Sequence, residues 1–149
     1  INIENNFYQK FHKFSKRIFD IIISILSLMI LSPIILSYIT FGRLVKIQFL
    51  GEAGIIINAR IFKTSNKLIK DIPLLFDVLK GNISIVGSKL VNSDETSPRI
   101  LCKPGITGLE RLKNIRLKSE TRKSAQQYYI QNQNLKLDVE IIIKTLLNG

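Results

Sequence analysis

Residues 21–41 carry no charged side chain and are dominated by isoleucine and leucine, a run long enough to serve as a membrane helix. Ser32-Pro33 falls in its middle. Proline lacks a backbone N–H and its ring crowds the preceding turn, so the pattern predicts a kink or a break there. Two shapes fit: a kinked helix that spans the membrane, or a helix-break-helix hairpin that enters and returns on one face. Each half is about a dozen residues, roughly 18 Å of helix against a hydrocarbon core about 30 Å thick. Lys10, Lys13, Lys16 and Arg17 precede the run, Arg43 and Lys46 follow it, and basic flanks favour the cytoplasmic side. The re-entrant hairpin is therefore the expectation and the spanning helix the alternative. No small-residue cleavage site follows the apolar run, which argues against removal as a signal peptide.

Beyond the run the periodicity shortens. Gly51 and Gly54 punctuate an irregular stretch before Ile55-Ile56-Ile57, which reads as a short strand or a buried edge. Leu74, Leu75, Val78 and Leu79 fall at helical spacing, so a short helix is expected over 71–79, opened by Asp71 and Pro73 and stopped by Gly81. Ile83, Ile85 and Val86 make a brief strand-like run ending at Gly87. Lys103-Pro104-Gly105 and Gly108 mark a turn-rich loop. An amphipathic closing helix is predicted over 124–147, interrupted near Asn132 and Asn134, with Tyr128 and Tyr129 packing against it.

Charge narrows the possible partners. With 22 basic and 11 acidic residues among 149, the net charge is +11, which favours polyanions: nucleic acid or an anionic membrane face. A nucleic-acid binder would leave the apolar run and the Ser-Pro pair unexplained, and the chain has no helix-turn-helix or aromatic RNA-binding signature, so no nucleic-acid partner is expected. Eight basic residues stand between positions 99 and 123, a belt suited to phosphate or to anionic lipid headgroups. One cysteine, Cys102, and one histidine, His12, disfavour an internal disulfide and a zinc site. Cys102 reads as a small buried residue and His12 as an interfacial one.

Several short motifs, in this order, resemble the bacterial sugar transferases, the monotopic phosphoglycosyl transferases. They begin with Lys16-Arg17-Ile18-Phe19-Asp20, Ser32-Pro33, and Gln48 followed by Gly51 and Gly54. Phe62-Lys63-Thr64, Ile72-Pro73-Leu74-Leu75, Val78-Leu79-Lys80-Gly81-Asn82-Ile83-Ser84-Ile85-Val86-Gly87 and Lys103-Pro104-Gly105-Ile106-Thr107-Gly108-Leu109 follow. Tyr128-Tyr129 and the stretch from Asp138 to Thr145 complete the resemblance. It implies a membrane-embedded hairpin that holds a small cytosolic domain at the lipid surface. There a sugar phosphate passes from a nucleotide diphosphate sugar to polyprenyl phosphate, with Mg²⁺ as cofactor. In that family an adjacent Asp-Glu pair before Leu-Pro carries the reaction: the aspartate attacks phosphorus and the metal balances the diphosphate charge.

The chain departs from the family at that pair. Counting back from Pro73, the aspartate position holds Lys70 and the glutamate position holds Asp71. A lysine amine attacks only when neutral, and Asp71 beside it favours the charged form. Asp71 is thus the surviving acid, as a magnesium ligand or as the attacking group, unless it only caps the following helix. Pro-Arg-Pro after Val-Gly is replaced by Ser88-Lys89-Leu90, Lys-Phe-Arg by Ile61-Phe62-Lys63, and the segment before Pro73 is shortened. The phosphate-binding candidates are Lys103 foremost, then Lys63, Lys89 and Arg99. Asp77 lies about 120° around the helix from Asp71 and is no dyad partner, and Asp94-Glu95 falls in an expected loop.

The sequence therefore predicts a mostly helical α+β protein. It has a basic segment over 1–17, a membrane hairpin over 18–47 broken at Ser32 and Pro33, and a cytosolic domain over 48–149. The expected place is the cytoplasmic face of a bacterial inner membrane. The expected role is sugar-phosphate transfer in surface polysaccharide synthesis, with a catalytically silent binding or partner subunit as the alternative.

Overall fold

The computed structural model describes residues 3–92, 102–109, 124 and 127–148. Its elements in chain order are α1 (Ile3–Thr40), β1 (Leu44–Leu50), β2 (Ile56–Phe62), α2 (Lys67–Lys70), α3 (Leu74–Lys80), β3 (Ser84–Val86), β4 (Gly105–Thr107) and α4 (Leu135–Asn148). The mostly helical α+β class read from the sequence is the architecture observed.

The helix-break-helix expectation is corrected. α1 runs uninterrupted for 38 residues, with Pro33 inside it, a length of about 57 Å at 1.5 Å per residue. The local chemistry explains how a proline is carried. Pro33 cannot donate to the carbonyl four residues earlier, that of Met29. The Ser32 hydroxyl donates to that same carbonyl at 2.9 Å, supplying the missing proton.

α1 is long and apolar enough to cross a membrane by length and composition, yet it is two-faced. Asp20, Ser24 and Ile35 are buried, with Ile23, Leu28, Leu31, Ile34 and Tyr38 packed between and beyond them. These positions recur every three to four residues, so one stripe of the helix lies along the domain. The opposite stripe exposes Phe14, Ile18, Ile22, Ile25, Met29 and Leu36. Both ends of the apolar run thus touch the same small domain.

β1 and β2 form an antiparallel hairpin in the register Leu44↔Phe62 through Leu50↔Ile56. A 3-10 turn at Glu52–Gly54 connects them. The strand expected near Ile55 is therefore longer and has a partner. Ile57 is buried and Ile56 exposed, because alternate strand residues face opposite ways, while Ile55 is exposed before the strand begins. Phe49, Ile57, Ala59 and Ile61 join Leu74, Val78, Ile83, Ile85, Val86, Tyr129 and Ile141 in the main core. A second cluster of Ile35, Phe62, Ile72 and Leu75 sits against the later half of α1.

α3 starts three residues later than the sequence indicated. Pro73 occupies the cap position without a side-chain cap, and Asp71 belongs to the end of α2. Gly81 ends α3 at φ 93°, the left-handed conformation that the predicted stop requires. The turn-rich segment 103–108 contains β4, parallel to β3 with Ser84↔Gly105 and Val86↔Thr107. In the closing segment residues 127–131 are helical and α4 begins at Leu135, so the interruption near Asn132 and Asn134 is present. The Asn134 side chain accepts from the Leu137 N–H there. Tyr129 is buried but Tyr128 is 54% exposed, so only one of the tyrosines predicted to pack does so.

Gly87, Gly105 and Gly108 explain the Val-Gly and Pro-Gly-Ile-Thr-Gly motifs. A Cβ on Gly105 would stand 2.1 Å from the Gly87 nitrogen, and one on Gly108 2.2 Å from the Gly87 oxygen. Backbone meets backbone, so no side chain can swing aside. Gly105→Ala is expected to cost about 3 kcal/mol by forcing the strands apart. Gly54→Ala, which meets nothing and suffers only its φ of +80°, should cost about 1 to 2 kcal/mol. Urea unfolding of the two variants in detergent checks the difference.

Candidate functional site

The turn that carries Lys70 and Asp71 is built locally. The Asn66 side chain accepts from the Leu68 and Ile69 N–H groups and starts α2, which lasts one turn. The Asp71 carbonyl then accepts from the Leu74 N–H at 3.0 Å, leading into α3. Ile72 and Leu75 are buried with Ile35 and Phe62, and Ile69 packs on the same cluster beside Leu31, Ile34 and Tyr38. The turn is therefore pinned to the later half of α1. Asp71 is 8% exposed, whereas Lys70 is exposed.

The predicted residues fall into two groups. Lys63 follows Phe62 and so flanks the same cluster as the Lys70–Asp71 turn; its side chain is exposed. Lys89 and Lys103 flank the bridge between Ser88 and Pro104. Lys103, the foremost phosphate candidate, donates its ammonium to the Gly81 carbonyl at 2.7 Å. That places it at the far end of α3 from Asp71, about 10 Å of helix away. Arg99, Asp94, Glu95 and the basic belt apart from Lys103 lie outside the described residues. Ser32 and Pro33 are exposed on α1.

Lys103 shares its end of α3 with Arg17. The Arg17 guanidinium donates to the Val78 and Leu79 carbonyls, the latter at 2.6 Å. Two cations thus donate to carbonyls at the C-terminal end of the helix, where the helix dipole also favours positive charge.

The sequence reading missed a buried polar node. Lys16 donates to the Val86 carbonyl at 2.9 Å and to the Tyr129 oxygen, and pairs with Asp138 at 3.2 Å. These three acceptors match the three protons of an ammonium. Tyr129 donates to Asp138 at 2.8 Å. Burial, then the Asp138 charge, pushes the Tyr129 phenol above its ordinary range, so it serves as a donor. One helical turn beyond Lys16, Asp20 accepts from the Ser84 hydroxyl and from the Ile85 N–H.

Charge spacing held the missed signal. Lys16 and Asp20 are four apart at the edge of the apolar run, and Asp138 shares a helix face with Ile141 and Thr145. Thr145 contacts Thr107 at 2.6 Å, fastening α4 to β4. Cys102 is half-buried and its thiol is raised by burial, which keeps it protonated and unreactive.

A sequence profile of the family described as bacterial sugar transferase matches residues 58–149, more than half of the chain. An undecaprenyl-phosphate galactose phosphotransferase of Salmonella typhimurium is 25% identical over 202 residues, covering 97% of this chain and 42% of the relative. That alignment is longer than the chain itself, so the relative carries segments within the match that are absent here. The exopolysaccharide production protein ExoY of Sinorhizobium fredii is 25% identical, covering 89% of this chain and 84% of the relative. An uncharacterized sugar transferase of Haemophilus influenzae is 33% identical over 98 residues, 60% of this chain and 20% of the relative.

Lys16→Met leaves the Asp138 carboxylate buried without its cation and is expected to cost about 3 to 5 kcal/mol. The double variant Lys16→Met with Asp138→Leu should recover most of that loss. Denaturant titration in micelles measures both. Burial raises the Asp20 carboxyl above its ordinary value of 3.8, with the Ser84 hydrogen bond and the Lys16 charge opposing. Its contribution to stability is therefore greatest below the ordinary carboxylate range and is lost as pH rises through the raised value. Relative to wild type, Asp20→Asn should gain stability as the pH climbs from about 3 to about 7, read from unfolding midpoints.

Proposed function

The chain belongs to the bacterial sugar transferases, and from that membership we propose that it transfers a sugar phosphate from a nucleotide diphosphate sugar to polyprenyl phosphate, at the cytoplasmic face of a bacterial inner membrane, in surface polysaccharide synthesis. The observation that carries this reading is the packing of Ile69, Ile72 and Leu75 around the Lys70–Asp71 turn on α1. It supports reading Asp71 as an acid held near the one long apolar helix among the described residues. The name of the Salmonella relative supports polyprenyl phosphate as the acceptor, and that of the Sinorhizobium relative supports polysaccharide synthesis. In this reading α1 is monotopic: its apolar stripe enters the lipid, while the opposite stripe stays on the domain.

Asp71 is the working carboxylate and Lys70 adds a positive charge beside it for the diphosphate. Asp71 would also hold magnesium, which when bound balances the charge of the diphosphate and the leaving nucleotide. A single carboxylate suits an ion whose other ligands are substrate phosphates and water. Among the described residues no group of three or more His, Cys, Asp or Glu gathers to supply more. Lys63, Lys89 and Arg99 are the remaining phosphate-binding proposals. Lys103 joins them with one ammonium proton engaged by Gly81.

A second reading rests on Lys70. A protonated lysine has no lone pair for phosphorus, so a chain with lysine in the attacking position suits a silent binding or partner subunit.

Release of nucleoside monophosphate from a panel of UDP-sugars, with Mg²⁺, polyprenyl phosphate and detergent-purified protein, separates the readings. Turnover that Asp71→Asn reduces to background is the result expected of the transferase. Nucleotide-sugar binding without turnover, converted to turnover by Lys70→Asp, is the result expected of the silent subunit.

A further inference from the structure

The β1–β2 hairpin carries an electrostatic arrangement that folding alone does not favour. Its register sets Lys46 directly opposite Arg60, and both side chains are exposed. Like charges facing each other across an antiparallel pair destabilise it. One step past the strand end the pattern repeats. The Lys63 N–H donates to the Arg43 carbonyl at 2.8 Å, so these two cations also stand across from one another. None of the four pairs with an acid among the described residues.

Their position relative to α1 points to a partner. Strand alternation puts Leu44, Lys46 and Gln48 on one hairpin face with Phe62, Arg60 and Asn58 opposite them. The Leu44–Phe62 end of that face is covered by the last turns of α1: the Tyr38 and Phe62 rings lie 4.8 Å apart, and Ile35 packs on Phe62. The Lys46–Arg60 pair is the next step along the same face. Exposed apolar side chains stand at the end of α1 and just beyond it: Ile39, and Phe41, which is 74% exposed. Arg43 borders a cavity of about 220 Å³ there with Ser37, Tyr38 and Phe41. An apolar stripe thus passes directly into a flat face of cations.

We propose that this hairpin face docks onto the headgroups of anionic phospholipids, whose phosphates offset the repulsion between the facing cations. A phosphodiester surface fits better than a single soluble anion because the Lys46–Arg60 pair lies on an open strand face that adjoins the lipid-entering helix. The proposal rests on the membrane placement of α1 given above. It adds a lipid preference: anionic membranes are bound more tightly than neutral ones, through the hairpin rather than through generic positive charge.

The test is partition of the full chain into phosphatidylcholine vesicles and into vesicles with about 30% phosphatidylglycerol, at low and high salt. Each cation near such a surface is worth about fivefold in partition. The variant Lys46→Gln with Arg60→Gln should reduce the anionic preference by about 25-fold, with binding to neutral vesicles unchanged and the unfolding midpoint in neutral detergent equal or higher. The control Lys136→Gln with Lys144→Gln, on α4, should change the preference less than about threefold. An equal loss in both variants, or an unchanged preference in the hairpin variant, overturns the proposal. It is also overturned if the hairpin variant loses UDP-sugar affinity while keeping its lipid preference, since the pair would then serve nucleotide phosphates. Failure of the wild-type chain to bind neutral vesicles would instead overturn the membrane placement of α1, a result separate from loss of the anionic preference.

Discussion

The meeting of the first helix, the parallel strand pair and the last helix depends on where a single ammonium group is satisfied. Lys16 is largely buried, and a cation taken out of water is tolerated only with its charge paired and its protons accepted. Asp138 on α4, Tyr129 before it and the Val86 carbonyl of β3 provide that environment together. Meeting the requirement brings the first helix, the parallel strand pair and the last helix to one point. Arg17 and Asp20, on adjoining turns, then attach α1 to the end of α3 and to the start of β3. The rotation of α1 about its axis is fixed by these polar contacts, and its apolar outer stripe is what remains.

This division of labour accounts for an apolar helix that rests on a basic domain. Along the inner stripe, polar anchors at the Lys16 end give way to aliphatic packing on Phe62, Ile72 and Leu75 at the Tyr38 end. Asp71 is next to Ile72, so the long apolar helix also sets the position of the candidate carboxylate. An enzyme that joins a water-soluble sugar donor to a lipid acceptor needs such a fixed distance. A silent relative would keep the same scaffold, because the Lys16, Tyr129 and Asp138 contacts that join its elements do not involve Lys70 or Asp71.

Local rules made part of this legible in advance. The stop of α3 at Gly81, the brief strand at 84–86 and the interruption after residue 131 all follow from glycine and asparagine chemistry or from short apolar runs. The unbroken course of α1 did not, because proline was weighed without the Ser32 hydroxyl that replaces its missing donor. β1 went unseen because Lys46 and Gln48 interrupt its apolar residues, and only pairing with 56–62 makes the alternation plain. Lys103 reads as a phosphate candidate from its place before Pro104-Gly105, and the sequence does not show that the Gly81 carbonyl engages one of its protons. The Lys16 node was hidden for a related reason: its partners are distant in sequence, and a basic residue before an apolar run reads first as a membrane flank.

That distance also orders events in time. Tyr129 follows Lys16 by 113 residues, on the order of ten seconds of synthesis at ordinary ribosomal rates. Through that interval Lys16, Arg17 and Asp20 are charged and without their folded partners, so water is the only solvent that suits them. The apolar run behind them has already emerged and has lipid available. Under the membrane placement proposed above, the head of α1 stays at the aqueous boundary while its body faces lipid, before the domain that will grip it has been made. Under that placement, the groups that end as the deepest anchor of the fold begin as its float.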